Sequence, residues 1–327
     1  MNNLELKIGI VGCGGISRFH TRAYLKAEGA RIAKVFDMHA DSAHALAGEV
    51  GADACASLED MLRPGDLDAV SICTPPGAHL ESCLPFINAG IPVLCEKPLA
   101  GNLDEAFQLE AAVHQSGTPF MIGFCHRFNP AVVKVKQMLM NDGDRVGKPL
   151  FFRNLFGGLI DVMTGHRGDP AVSGGGVLID NCAHSLDLFR FLMGEVESIQ
   201  AQVKNLVQPS RVEDYASIGV LGRDSIAGQI ASSYSLPVAY NSVEIFCSKS
   251  TLSINYQIRG RPDLAAHYQG EQKEQAVLLD HDLDQFTAEI SYFLSCVRLG
   301  ARPIPGIEDA IENARLIDAA YRSAYSA

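Results

Sequence analysis

The feature that most restricts what this chain can fold into is a short β-branched run opening straight into a glycine-rich turn. Leu6-Lys7-Ile8-Gly9-Ile10-Val11 reads as a buried strand, Gly12-Cys13-Gly14-Gly15-Ile16-Ser17 as the turn, and a helical pattern runs from about Ser17 to Ala27. In a dinucleotide-binding turn the first glycine makes the tight bend. The second lets backbone approach a pyrophosphate, and the third position permits close helix–strand packing. Ser17 holds that third position, small but neither Gly nor Ala. Backbone N–H groups of Gly14, Gly15 and Ile16, at the start of the helix, are the ones expected to hold phosphate, favoured by the helix dipole.

Glycine-rich turns are common, so the surroundings of this one matter. A second strand, Arg31-Ile32-Ala33-Lys34-Val35-Phe36, ends in Asp37, 20 residues past Ser17. That is where an acid receives the ribose hydroxyls of a dinucleotide; the competing reading is a helix cap or turn acid. A carboxylate there repels a 2′-phosphate, and neither Met38 nor His39 is an arginine that would accept one, so NAD is expected over NADP. Strands at 69–73, 92–95 and 119–122 then alternate with helices at 78–89 and 103–115. Alternation of this sort predicts a parallel sheet wrapped by helices, a Rossmann-type domain over residues 1–125. The turn Thr74-Pro75-Pro76 falls where the middle of a cofactor would pass. His79 beside it could touch cofactor, or be a solvated helix cap.

Val93-Leu94-Cys95-Glu96-Lys97-Pro98 reads as a buried strand whose carboxyl end, the end where ligands collect in such sheets, delivers a lysine. Pro98 disfavours helix at Lys97 and stiffens its backbone, which suits a group that must be aimed. The alternative is a surface lysine at a strand–loop junction.

After Gly147-Lys148-Pro149 the pattern changes. A strand at 150–156 leads into a polar, glycine-rich loop, 157–176, with His166 and Arg167. A helix follows, marked by apolar positions 178, 179, 182, 186, 189 and 192. Asp180 and His184 lie four residues apart and share one face. The pair reads as a structural hydrogen bond, as half of a metal site with no third ligand at convincing spacing, or as a carboxylate orienting a histidine base. Strands at 198–206, 215–221, 225–234, 242–246 and 251–255, without intervening helices, predict a large, mostly antiparallel sheet. Residues 259–275 are polar and yield no pattern. Closing helices are read at 283–299 and 307–325, the last able to pack back on the first domain. The second domain is therefore drawn at 126–327, for substrate binding and oligomerisation.

Of 327 residues, 47% are hydrophobic, enough for two cores, and the net charge of −11 lacks the basic face a nucleic-acid binder needs. Nine scattered cysteines, never spaced Cys-x-x-Cys, fit reduced thiols. No apolar run reaches membrane-spanning length and no basic-then-apolar leader opens the chain, so the expectation is a soluble, cytoplasmic protein without metal.

With these motifs in order, the sequence resembles the glucose–fructose oxidoreductase / inositol dehydrogenase (Gfo/Idh/MocA) family. The resemblance extends to Thr74-Pro75-Pro76-x-x-His79, Arg127-Phe128-Asn129-Pro130, Gly174-Gly175-Gly176 and the closing Arg302-Pro303 and Asp309-Ala310. It implies an α/β protein, a Rossmann domain followed by an α/β domain with a large open sheet, one face of which meets another subunit in a dimer or tetramer. It also implies NAD(P)-dependent hydride transfer at a carbinol carbon of a sugar, inositol or related polyol. Lys97, Asp180 and His184 match the catalytic positions, and Gly12, Gly14, Asp37 and Thr74 the cofactor positions. Gly15, Ile16, Pro75, His79, Glu96 and Lys97 are assigned to the cofactor beside them. Arg127, His126, Asn154, His166, Arg167 and Asn181 are placed around substrate, the two arginines as partners for a carboxylate or phosphate. The same fold resembles NAD-dependent glycosidases and non-catalytic sugar or dinucleotide sensors; the three retained catalytic positions argue against a sensor.

Overall fold

The computed structural model describes residues 5–256, 258–279 and 284–326. These fall into two compact units, 1–125 with 284–314, and 126–283 with 315–327.

In chain order the first unit runs β1 (Leu6–Val11), α1 (Ser17–Lys26), β2 (Ala30–Phe36), α2 (Ala40–Val50), β3 (Asp53–Ala54), α3 (Leu58–Met61), β4 (Ala69–Ile72), α4 (His79–Asn88), β5 (Val93–Glu96), α5 (Leu103–Ser116) and β6 (Phe120–Gly123). The six strands are parallel in the order β3-β2-β1-β4-β5-β6. Strand order reverses between β1 and β4, which opens a crevice at their carboxyl ends. Ile8, Ile10, Val70, Ile72, Val93 and Leu94 are fully buried, as near-continuous apolar strands covered on both faces must be. No element is read from sequence between 38 and 68. There the structure adds α2, whose buried Ala43, Leu46 and Ala47 follow helical spacing and whose C-cap Gly51 takes φ +70°.

The second unit continues with α6 (Pro130–Asn141), α7 (Gly143–Val146), β7 (Pro149–Leu159), α8 (Pro170–Ser173), α9 (Val177–Met193) and β8 (Val196–Lys204). Then come β9 (Tyr215–Gly222), β10 (Ala227–Ser233), β11 (Ser235–Cys247), β12 (Ser250–Asn255), β13 (Leu264–Tyr268) and β14 (Gln275–Ala276). The eight strands order as β14-β13-β12-β11-β7-β10-β9-β8, antiparallel except where β7 meets β10. On β7, Phe152 and Asn154 point into the core while Arg153 and Leu155 are exposed, the period-two alternation of a half-covered sheet. The covering element is α9, packed on β7, β9 and β10 with 14 buried residues. Phe189 meets Phe152 edge-on, centroids 5.5 Å apart. The loop expected at 157–176 gives its first three residues to β7 and four more to α8. Helix α6 has a legible start, Asn129 accepting from Ala131 N–H with Pro130 in the first turn. Strand β13 lies in the stretch that carries no pattern.

Helix α10 (Gln285–Leu299) returns to the first unit and packs on α1; Leu283, where the sequence expectation started it, lies outside the described residues. The closing helix α11 spans Ile307–Tyr325. Among the described residues no helix is long and apolar enough to cross a membrane.

Candidate active site

The carboxyl edge of the first sheet is built around a missing side chain. Gly12 has φ +88°, and a Cβ there would stand 2.7 Å from the carbonyl carbon of Cys73. Only glycine lets the turn after β1 rest on the end of β4. Gly14 and Gly15 are exposed, and a Cβ on either would meet nothing within 4 Å. Their backbone therefore presents an open surface at the start of α1, with half-buried Ile16 as N-cap, which fits a dinucleotide pyrophosphate. Ser17, the departure from the glycine pattern, is buried and donates from Oγ to the Gly14 carbonyl at 2.7 Å, closing the turn. Asp37 accepts Cys13 N–H at 2.7 Å on Oδ2 and His39 N–H at 2.8 Å on Oδ1. The acid is thus a fixed charge beside the glycine turn.

At the ends of β4 and β5, half-buried Thr74 donates from Oγ1 to Ser82 at 3.4 Å, and Pro75 leads into a tight helical turn, Pro76–Ala78. His79 corrects the solvated-cap reading, because its side chain is fully buried. Its Nδ1 lies 2.9 Å from the Pro98 carbonyl and its Nε2 2.8 Å from that of Thr74, so it ties the Thr74 turn to the Lys97-Pro98 segment. Burial pushes its pKa down, against the pull of those carbonyls. The Lys97–Pro98 peptide is cis, and Lys97 is half-buried.

Glu96 is buried beneath Lys97. Its Oε2 accepts the Lys97 N–H at 3.3 Å and its Oε1 lies 2.8 Å from His20 Nε2. His20, fully buried on α1, sets Nδ1 3.3 Å from Ser71 Oγ, which in turn is 2.7 Å from the Tyr24 hydroxyl. Burial opposes a charge on His20, but the Cys73 sulfur and the Glu96 carboxylate outweigh it and hold its pKa well above the ordinary value. Sequence reading missed His20 and Tyr24. Their one signal is that 17, 20, 21 and 24 recur at the spacing of a buried helix face.

In the second unit the glycines before α9 make room for neighbours. A Cβ on Gly175 would lie 2.2 Å from the Tyr321 hydroxyl, and one on Gly176 2.0 Å from the Glu213 carbonyl oxygen. Glu213 Oε1 accepts Gly176 N–H at 3.1 Å, Leu178 N–H at 3.0 Å and the Tyr321 hydroxyl at 2.8 Å. A carboxylate thereby satisfies orphan donors at the positive end of the helix. Asp180, half-buried one turn on, accepts the Tyr234 hydroxyl at 2.5 Å on Oδ2; burial and that carboxylate push the Tyr234 pKa well up, so it remains a donor. His184, buried a turn further, stacks on His126 with centroids 4.2 Å apart and planes within 6°.

The other expected substrate groups divide. Asn181 and Asn154 are buried: Asn181 Nδ2 donates to Ser232 Oγ at 3.2 Å, and Asn154 donates to the Ser242 carbonyl at 2.7 Å while accepting from Ser185. Arg127 is buried against Asp187, with Nε 2.9 Å from Oδ2 and Nη2 2.6 Å from Oδ1, and its guanidinium lies over the Phe191 ring. The carboxylate it meets belongs to this chain. His166 and Arg167 are exposed on the loop before α8. Partial burial and the Arg167 charge lower the His166 pKa, opposed by Asp180.

A six-stranded parallel sheet carrying this glycine turn and the fixed Asp37, followed in the chain by the large open sheet, is an α/β architecture with a dinucleotide-binding type of first domain. The family profile described as "Oxidoreductase family, NAD-binding Rossmann fold" matches residues 6–124, and "GFO/IDH/MocA C-terminal domain" matches residues 132–253. The chain belongs to the GFO/IDH/MocA family of oxidoreductases. It is 26% identical over 337 residues to inositol 2-dehydrogenase of Rhizobium meliloti (strain 1021), covering 98% of this chain and 97% of that one. It is 25% identical to scyllo-inositol 2-dehydrogenase (NAD(+)) of Bacillus subtilis (strain 168), covering 94% and 91%. Levoglucosan dehydrogenase in complex with NADH superposes with a TM-score of 0.90 at 21% identity, covering 98% and 97%, a likeness of fold.

The raised His20 pKa has a consequence for stability. The extra stabilisation is complete below the ordinary histidine value, 6.5, and is lost as pH rises through the higher folded value. From about pH 7 to about pH 9 the urea midpoint of the wild type should fall, and that of His20→Gln should fall less. Equal slopes in the two proteins would refute the charged His20–Glu96 pair.

Proposed function

We propose that the protein transfers hydride between NAD and a carbinol carbon of a sugar, inositol or related polyol. The observation that carries this reading is a carboxylate and a histidine one turn apart on α9, Asp180 bound by Tyr234 and His184 held in a ring stack. The names of the inositol dehydrogenases to which the chain is similar support the substrate class.

Bound NAD supplies the hydride acceptor. His184 takes the proton of the substrate hydroxyl, acting as general base near neutral pH. Asp180, one helical turn away, favours the imidazolium that results, and Tyr234 keeps that carboxylate in place. The Lys97 ammonium stabilises the alkoxide, from a backbone anchored by Glu96 and His79. His166 and Arg167, on the exposed loop, are assigned to hydrogen bonding around the polyol, whereas Asn154 and Asn181, expected there too, spend their amide groups on the protein and hold α9 to the sheet. Arg127, committed to Asp187, serves the site by bracing α9.

The first test is reduced-nicotinamide absorbance with NAD and a panel of sugars, inositols and sugar acids. Turnover of one compound is expected, with Lys97→Ala lowering kcat by about a hundredfold or more, the scale of losing an oxyanion stabiliser. Turnover within about threefold of wild type for Lys97→Ala would remove that assignment. Release of an aglycone without net reduced cofactor would instead point to the glycosidase chemistry of this fold.

Asp37, fixed by two backbone N–H groups, supports NAD over NADP through ribose hydrogen bonds and repulsion of a 2′-phosphate. Asp37→Ala should shift the NAD/NADP affinity ratio toward NADP by about tenfold or more, read by nucleotide titration; an unchanged ratio would contradict the assignment. The outer face of the second sheet, with Leu155 and Leu221 exposed and Phe151 and Phe246 half-buried, is proposed as the homo-oligomer interface. Light scattering should give a dimer or tetramer, and Leu155→Arg should shift it toward monomer.

A further inference from the structure

The mechanism above uses one of two histidines that the structure sets face to face. His126 and His184 are both buried, with ring centroids 4.2 Å apart and planes within 6° of parallel. Tyr256 also stacks on His126, at 4.9 Å and 28°. His126 therefore stacks with two aromatic partners, His184 and Tyr256. Phe156 flanks the stack, 5.7 Å from His126 and 6.4 Å from His184. These contacts exclude water from both imidazole faces that meet.

We infer that His126 and His184 form a single proton-holding unit in which only one imidazole is charged at a time, making His126 the positioning residue of the proposed base. The physical reason is direct. Like charges in contact disfavour each other, and burial removes the solvent that would screen them. The second proton therefore enters well below the ordinary histidine range, and the two steps belong to the pair rather than to either ring. The stack also fixes the plane of the His184 ring, so its nitrogens cannot swing away from the position α9 sets for them. For a proton-abstracting site the benefit is that the unit retains a neutral, proton-accepting ring under mildly acidic conditions, where a lone histidine would already be charged.

Other charged and titratable groups around the stack are Cys125 and Arg127, on either side of His126 in the chain, Asp180 and Asp187 on α9, and the hydroxyls of Tyr234 and Tyr256. Asp187 is bound to Arg127, and Asp180 to Tyr234. All of them remain when one histidine is replaced, so the replacement isolates the ring–ring term. The inference rests on the assignment of His184 as base for its functional meaning, but the coupling itself is a property of the free protein.

The test is a pH titration of the substrate-free protein with labelled histidine, followed by NMR, in wild type, His126→Phe and His184→Asn. Phenylalanine keeps a stacking ring and removes the second proton site. In the wild type the pair should titrate in two steps separated by about one pH unit or more. The lower step should lie below the single step seen for the remaining ring in each variant. Wild-type midpoints that match the variant midpoints within about 0.3 unit would overturn the inference, leaving His126 a packing residue. The wild-type curve alone is informative should either variant fail to fold, since two overlapping steps near the ordinary value also refute it. If His184→Asn keeps full turnover with a coupled wild-type titration, the base assignment fails and the proton-holding pair stands.

Discussion

A carboxylate buried in a protein is tolerated only where donors converge on it. In this chain two such carboxylates hold the segments to which the proposed chemistry is assigned. Glu96 lies under the Lys97-Pro98 turn, gripped by His20 and by the Lys97 N–H. Glu213 sits at the first turn of α9, gripped by Gly176, Leu178 and Tyr321. Each converts an otherwise costly buried charge into a rigid anchor, and each lies beside a glycine that leaves room for the segment. A Cβ on Gly123 would come within 3.1 Å of Glu96 Oε1, and one on Gly176 would strike the Glu213 backbone.

These anchors separate groups that bear on substrate or cofactor from groups that hold others still. His79, Arg127 and Asn154 belong to the second kind, since each spends its polar atoms on backbone or on neighbouring side chains. Preorganisation of this sort matters in an oxidoreductase because the reacting carbon, the base and the nicotinamide must meet within narrow distances. In the proposed reaction a fixed Asp37, a braced Lys97 backbone and a helix pinned at its first turn would each remove a motion otherwise frozen at the moment of reaction.

Much of the first unit was legible in the chain. Strand, glycine turn, helix and acid occur in an order that few folds can accept, and each strand of that sheet is a run of apolar residues. Less was legible where the pattern is weak. Helix α2 is rich in alanine and carries little contrast between its faces, so no period stood out. Helix α6 was not read at all, its one local signal being Asn129-Pro130, a cap rather than a stripe. Strand β13 is short and flanked by polar residues. His20, Tyr234 and Glu213 were invisible as functional groups, because each acts on a partner more than 30 positions distant in the chain.

By itself, the sequence determined the two sheet types, the dinucleotide turn, the Asp37 position and the shared helix face of Asp180 and His184. All of these follow from local period, turn chemistry and residue spacing, which are properties of neighbours along the chain. Only the tertiary structure decided that His79 is a buried tie rather than a solvated cap, that Arg127 is already paired with Asp187, and that His184 leans on a second histidine. Those outcomes depend on which distant side chains burial brings within hydrogen-bonding or stacking range. A buried polar group takes the partner that packing supplies, and packing is decided by the whole fold.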